Sequence, residues 1–263
     1  MTSILKSDVP QGTTEQDPGI GKSILWIVGL VVFQLMGILV AWITQAAISG
    51  EPMMRMTQVD GQTVPTPNLN AVTMMFGVFL GAGALIALRA KYLCRHLRPA
   101  WDGSSPHALS RHSILMTGAL IIGVMLFTLV YQTAIGEQPI QPELILFLNA
   151  MNSGYAGLAV VFLAGAIGAP VLEEILFRGQ LQGAIQKKLE DRRSQRAPIY
   201  AIAITSAVFS LIHFQPLAIP PLFVAGAAFG WIRWRSGSLA LPIAAHVLMN
   251  FISLVLLYLT GEI

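Results

Sequence analysis

The sequence predicts an all-α protein, a polytopic transmembrane helical bundle of about seven spans, and two observations lead to that prediction. Hydrophobic residues make up 54% of the 263 residues and charged residues only 11%, whereas soluble domains average about 25% charged residues. The apolar residues also gather into runs of about 20, the length that a helix needs to cross a bilayer. We therefore expect an integral membrane protein.

A polar tail and seven apolar segments follow one another along the chain. Residues 1–22 are rich in polar residues, Pro and Gly, and we expect them to be flexible; the apolar run behind them is too long for a secretory signal. The candidate spans cover about 23–49, 71–88, 113–134, 155–186, 198–214, 217–231 and 239–260. Residues 198–232 contain no Asp, Glu, Lys or Arg, so six spans plus a re-entrant segment remain an alternative to seven.

The basic residues of the loops predict the orientation. Alternate loops are basic, namely Arg89, Lys91, Arg95, Arg98 and Arg111, then Lys187, Lys188, Arg192, Arg193 and Arg196, then Arg233 and Arg235. Because basic loops stay in the cytoplasm, we expect a protein of the cell membrane with its N-terminus in the cytoplasm. This placement also explains the net charge of +3 without nucleic-acid binding. The single Cys94 excludes a disulfide framework within the chain.

Charged and polar side chains interrupt the apolar runs of the second half. Glu173, Glu174 and Arg178 lie in the fourth candidate span, although a charge at bilayer depth costs roughly 2.5–3.5 kcal/mol. At 1.5 Å per residue, Glu173 lies about 21 Å from Lys187, His213 about 25 Å from Arg196 and His246 about 16 Å from Arg235. These groups therefore fall in one layer of the predicted bundle, whereas the other three histidines lie in polar loops.

The spacing within each helix suggests a division of roles. Glu174 and Arg178 can pair because residues four apart share a helix face, whereas Glu173 points about 100° away from Glu174. Asn250 lies one turn after His246, and Phe209 lies one turn before His213, where it can cover the imidazole. A carboxylate and a histidine around a water molecule suit general-base hydrolysis. A second histidine and an amide can donate hydrogen bonds to an oxyanion.

Each of these features can also be explained by a purely structural role. Glu174 with Arg178 can be an ion pair without chemistry, and the histidines and Asn250 can be interhelical hydrogen-bonding groups. Gly77-x-x-x-Gly81 and Gly226-x-x-x-Gly230 read as close-packing surfaces. The joint pattern favours a functional site. Among functional alternatives, a proton-coupled carrier should show inverted repeats, yet the ionisable groups occupy only the second half. A non-catalytic scaffold or immunity partner that uses the same buried network stays open.

Three ordered motifs carry a resemblance to a known family. Glu173-Glu174-x-x-x-Arg178, Phe209-x-x-x-His213 and His246-x-x-x-Asn250 resemble the motifs of the CPBP family of intramembrane proteases, which comprises type II CAAX prenyl endopeptidases and bacteriocin-processing or Abi proteins. The resemblance covers about residues 159–251. It implies that residues 154–261 form a catalytic transmembrane core and that residues 23–135 form N-terminal transmembrane helices around it.

The resemblance also implies roles for the motif residues. Glu173 and His213 would activate water, His246 and Asn250 would hold the oxyanion, and Glu174 and Arg178 would orient the site. The implied substrate is a membrane-associated protein or peptide. Prenyl endopeptidases usually carry another helix after the third motif, whereas this sequence ends soon after Asn250, so the resemblance leaves open whether there is a CAAX-specific channel and whether prenylated proteins are substrates.

A metal ion is a further possibility, because the family is commonly labelled metalloprotease. Glu173, His213 and His246 could bind Zn²⁺ and leave one position open for water. The sequence contains no His-Glu-x-x-His helix, and Asn250 is better suited to an oxyanion than to zinc. We therefore favour a glutamate-dependent reaction that requires no cofactor, with Zn²⁺ as the alternative.

Overall fold

The computed structural model describes residues 19–59, 62–101, 109–136 and 142–260. Residues 1–18 of the predicted tail lie outside this part of the chain. The predicted tail extends to residue 22, whereas the first helix already begins at Ile20. The tail is therefore shorter than predicted.

The described residues form eight helices. In chain order they are α1 (Ile20–Ser49), α2 (Ala71–Trp101), α3 (Arg111–Ile135), α4 (Pro142–Met151), α5 (Tyr155–Asp191), α6 (Ala197–Leu211), α7 (Pro216–Ser236) and α8 (Ala240–Thr260). Local signals set several ends: the Ser110 hydroxyl accepts from the Ser113 N–H at the start of α3, and Gly237 ends α7 in the left-handed conformation.

Five of these helices, α1, α3, α5, α7 and α8, are long and apolar enough to cross a membrane. Two shorter apolar helices, Val72–Leu88 and Ala197–Leu211, coincide with the remaining predicted spans. The helical architecture is thus confirmed, while crossing by all seven segments stays a prediction. Residues 198–232 fall into two helices, α6 and α7, and Phe214 adopts a left-handed conformation between them.

A β-hairpin departs from the all-α prediction. Strands β1 (Met54–Val59) and β2 (Gln62–Pro67) pair antiparallel between α1 and α2. At its base, the Gln45 side chain donates to the Asn68 carbonyl and accepts from the Asn70 N–H. The sequence signal was present, because Asp60-Gly61 between two short extended segments is typical of a tight hairpin turn.

The chain divides into two compact units. The first comprises residues up to Ile27, Arg89–Gln138 and Pro170–Met249; the second comprises Val28–Leu88, Pro139–Ala169 and the residues from Asn250 onward. The core of the first unit joins side chains of α3, α7 and α8, namely Ile121, Val124, Ala225, Ala228, Phe229, Ile232, Leu241 and Ala245. A core cluster of the second unit joins Met75, Ala150, Met151 and Val161.

Small residues allow close helix contacts in both units. A Cβ on Gly77 would lie 2.6 Å from Ile38 Cα, and one on Gly226 would lie 3.1 Å from Ser206 Cβ. Both glycine pairs therefore serve close packing, as predicted. In contrast, about half of the Leu35 and Leu39 side chains on α1 is exposed, which suits a surface that faces lipid.

The predicted orientation can be tested by cysteine labelling. In a Cys94→Ser background, we expect Arg192→Cys to resist a membrane-impermeant thiol reagent in intact cells, because its loop is cytoplasmic under the positive-inside rule. Arg55→Cys, on the exposed hairpin, should react and serves as the matched control. Labelling at position 192 but not at position 55 would reverse the orientation.

Candidate active site

Helix α5 carries the first motif and departs twice from regular α-helical geometry. Residues Phe162–Gly168 and Glu174–Leu181 are π-helical. Pro170 follows the first π segment and lacks the N–H that a regular helix would use. Such π segments occur frequently at functional sites, and the second one begins at Glu174.

Glu174 is the centre of a buried ionic network. Its Oε1 atom lies 3.0 Å from Arg178 Nη1 and 2.9 Å from His246 Nδ1, and both Glu174 and Arg178 are at most 1% exposed. The pairing expected from the four-residue spacing therefore forms. Because a carboxylate only accepts hydrogen bonds, His246 donates through Nδ1–H, and its Nε2 atom remains for another contact.

Glu173 lies in a different environment from its neighbour. Its side chain is 20% exposed, and its Oε2 atom lies 3.7 Å from His246 Nε2. That distance is longer than a direct hydrogen bond. The Glu174 carboxylate is thus buried with its Oε1 atom bonded to two partners, whereas the neighbouring Glu173 carboxylate is partly exposed.

His213 is oriented by its own helix. Its Nδ1 atom lies 2.7 Å from the Phe209 carbonyl oxygen. A carbonyl can only accept, so Nδ1 carries the proton and neutral His213 keeps a lone pair on Nε2. The Phe209 ring packs edge-on against the imidazole, with the ring centroids 4.7 Å apart, which confirms that it covers His213.

Three buried phenylalanines enclose the charged groups. The Arg178 guanidinium carbon lies 4.5 Å from the ring centroid of Phe209, 5.4 Å from that of Phe229 and 5.9 Å from that of Phe177. Phe229 also stacks on His246, with centroids 4.6 Å apart and planes 21° apart. The rings therefore fix the planes of both groups and keep lipid away from them.

Helix α7 contributes backbone acceptors as well as Phe229. Arg178 Nη2 donates to the Gly226 carbonyl at 3.2 Å, and Gln182 Nε2 donates to the Gly230 carbonyl at 3.1 Å. The sequence predicted only a packing role for these two glycines. Their carbonyls also accept hydrogen bonds from the site, so that prediction was incomplete. Because they lack side chains, α7 comes close enough for its carbonyls to reach α5.

Asn250 makes its contact within the second unit. Its Nδ2 atom donates to the Gly165 carbonyl at 3.0 Å. A side-chain amide has two N–H donors, so one remains after this bond. Asn250 follows His246 by one turn of α8, as the spacing requires, while the contacts among the other motif residues lie in the first unit.

The described donors do not fit a metal ion as they stand. Within the part of the chain that the structure describes, no group of three or more His, Cys, Asp or Glu side chains converges as metal ligands. Zinc would need Glu173, His213 and His246 to converge on one point at about 2.0–2.2 Å, and the described side chains do not converge in this way. We therefore derive no step through a metal.

Phe229 and Gln182 are parts of the site that were not predicted from the sequence. Gln182 had a usable signal, since it continues the four-residue spacing of Glu174 and Arg178. Phe229 had none, because an aromatic residue in an apolar span is indistinguishable from a packing residue until its neighbours are known.

Comparison with known proteins agrees with the motifs. Residues 155–252 match the family model of Rce1-like type II CAAX prenyl endopeptidases. The membrane-embedded CAAX protease MroQ of Staphylococcus aureus (strain USA300) is 28% identical over 148 residues, which is 55% of this chain and 55% of that protein. The match thus spans about half of the relative. No solved structure matches significantly. With its apolar helices and this membrane-embedded relative, the chain is an integral membrane protein, and its residues 155–252 are similar to the Rce1-like type II CAAX prenyl endopeptidases, a family of intramembrane proteases.

Proposed function

We propose that the protein is an intramembrane endopeptidase that hydrolyses a peptide bond of a membrane-associated protein or peptide. The observation that carries the proposal is the contrast between two adjacent carboxylates. Glu174 is buried and bonded to Arg178 and His246, whereas Glu173 is 20% exposed and lies beside His246 Nε2. Such a difference in environment assigns different roles to two neighbouring acids.

In the proposed reaction Glu173 acts as the general base. It takes a proton from a water molecule that also bonds to the Nε2 lone pair of His213, and the water oxygen attacks the scissile carbonyl carbon. The carbonyl oxygen becomes an oxyanion. The tetrahedral intermediate then breaks the C–N bond, and the proton held by Glu173 passes to the leaving amine.

The oxyanion is stabilised by His246 and Asn250. Glu174 accepts from His246 Nδ1–H and fixes the plane of the imidazole. In the proposed reaction the protonated ring donates through Nε2–H to the oxyanion. Asn250 is the second proposed donor to the oxyanion. Arg178 and the surrounding rings hold Glu174, and through it His246, in place.

The substrate is defined only by class. The family and the name of its relative make proteins with a prenylated CAAX terminus one candidate set, and unprenylated membrane peptides are another. We expect quantitative proteomics to find membrane proteins whose cleavage fragments occur with the active protein and are lost with Glu173→Ala. A set of cleavage products identical in both membranes would contradict the proposal and favour a non-catalytic partner.

Metal dependence can be measured directly. In the proposed reaction no metal takes part, so the purified protein should retain full activity after exhaustive chelation. Metal content by mass spectrometry is the parallel measurement. Stoichiometric zinc that is lost in both His213→Ala and His246→Ala, with activity restored only by added metal, would replace this mechanism with a metal-dependent one.

A further inference from the structure

A stripe of polar side chains descends helix α5 at four-residue intervals. It consists of Glu174, Arg178, Gln182 and Gln186. The first three are at most 3% exposed, whereas Gln186 is half-buried and lies beside the exposed Lys187. At the α-helical rise the stripe is about 18 Å long. It therefore leads from the buried carboxylate to the polar end of the helix.

Two neighbouring helices line the stripe. Arg178 and Gln182 donate to the carbonyls of Gly226 and Gly230 on α7. On α6, the Phe209 ring covers Arg178. Thr205 lies one turn before Phe209, toward Ile202, which packs against Gly230 as Gln182 does. Ser206, the next residue, packs against Gly226, so Thr205 lies between the levels of Gln182 and Arg178.

Four buried polar atoms of this region lack a hydrogen-bond partner among the described residues. They are Glu174 Oε2, Arg178 Nε, Gln182 Oε1 and Thr205 Oγ1. A buried polar group without a hydrogen-bond partner is destabilising, and four of them in one region would offset much of the stability of a folded domain. A bonding partner other than the described side chains would remove that cost.

The chemistry of these atoms selects the occupant. The set combines two acceptors, one donor and one hydroxyl that can do both. A cation would be repelled by Arg178, and an anion would be repelled by Glu174. Water both donates and accepts, and it commonly satisfies buried polar groups in proteins. We propose that bound water molecules occupy this stripe as a continuous file from Gln186 to Glu174.

The proposed role of the file rests on the proposed function. Hydrolysis consumes one water molecule per peptide bond, and the bilayer interior supplies none. The file ends at Glu174, whose partner His246 lies beside Glu173, the group proposed to activate water. The stripe would thus supply water along a route that is separate from the lipid.

Whether Thr205→Val lowers or raises the stability of the protein tests whether water occupies the stripe. If water bonds to Thr205, Thr205→Val removes a satisfied hydroxyl, and the unfolding midpoint in detergent should fall by about 2–4 °C. If no water is there, the same change removes an unsatisfied hydroxyl and the midpoint should rise, which would overturn the proposal. Thr117→Val is the matched control, because that buried hydroxyl bonds to the Ser113 carbonyl.

Radiolytic hydroxyl-radical labelling locates the water. Radicals formed from bound water should modify Phe209, although its side chain is only 1% exposed, and Gln182→Leu should reduce that labelling. Met151, which is 3% exposed in the second unit, gives the background for a buried and more reactive side chain. An unlabelled Phe209 would contradict the file.

Kinetics test the supply of water separately. We expect Gln182→Leu to lower kcat and leave KM unchanged, because substrate binding does not involve the stripe. Reduced labelling with unaltered kcat would overturn the supply role. The stability and labelling measurements do not depend on hydrolysis, so failure of the proposed function and failure of the water file give different results.

Discussion

Glu173→Gln should reduce peptide hydrolysis by about 10²–10⁴-fold, the usual contribution of a general base. Glutamine has nearly the same volume as glutamate and cannot take up the proton. The Glu173 side chain is 20% exposed, and the ion pair it forms among the described residues is a 3.7 Å contact with His246. Its replacement should therefore leave folding intact. The measurement is the turnover of an identified substrate by purified protein in nanodiscs.

The matched control for this change is Glu51→Gln, which makes the same substitution on an exposed loop residue and should retain full activity. Yield and unfolding midpoint should be equal for both variants and the unmodified protein. Near-normal hydrolysis by Glu173→Gln would show that another group is the base.

Arg178→Ala should destabilise the protein by about 3–5 kcal/mol, because it leaves Glu174 as an uncompensated buried charge. The Gly226 carbonyl also loses its donor, and the rings of Phe209 and Phe229 lose the cation between them. We expect a lower folded yield and a lower unfolding midpoint in detergent.

Two further variants separate loss of the ion pair from loss of an arginine in general. Arg235→Ala removes an arginine that stacks on Trp234 near the end of α7, and it should have a small effect. The double variant Glu174→Leu with Arg178→Met should regain folded yield, since apolar residues of similar volume commonly replace a buried ion pair. Wild-type stability of Arg178→Ala alone would refute the central role of this pair.

The sequence predicts the helices well because the bilayer imposes a strong length requirement. A run of about 20 apolar residues is a simple signal, and α1, α3, α5, α7 and α8 carry it. The hairpin after α1 and the short helix Pro142–Met151 have no such requirement. Their formation depends on local turn chemistry and packing, which composition does not reveal.

The candidate site was only partly accessible from the sequence. Helical spacing relates residues on one helix, so it predicted the pairing of Glu174 with Arg178 and the position of Phe209 over His213. It does not identify contacts between helices. For this reason it could not show that His246 bonds to Glu174, or that Gln182 reaches Gly230. The catalytic roles stay predictions.

The glycines of helix α7 have a consequence for how variants of this chain are judged. A Cβ on Gly230 would lie 2.9 Å from Gln182 Oε1 and 3.2 Å from Ile202 Cγ2. Even alanine at that position would displace the Gln182 amide, which bonds to the Gly230 carbonyl beside the ionic network. A chain with every acidic, basic and amide residue of the three motifs in place could therefore still be inactive. Motif conservation alone is an insufficient criterion for activity in this protein.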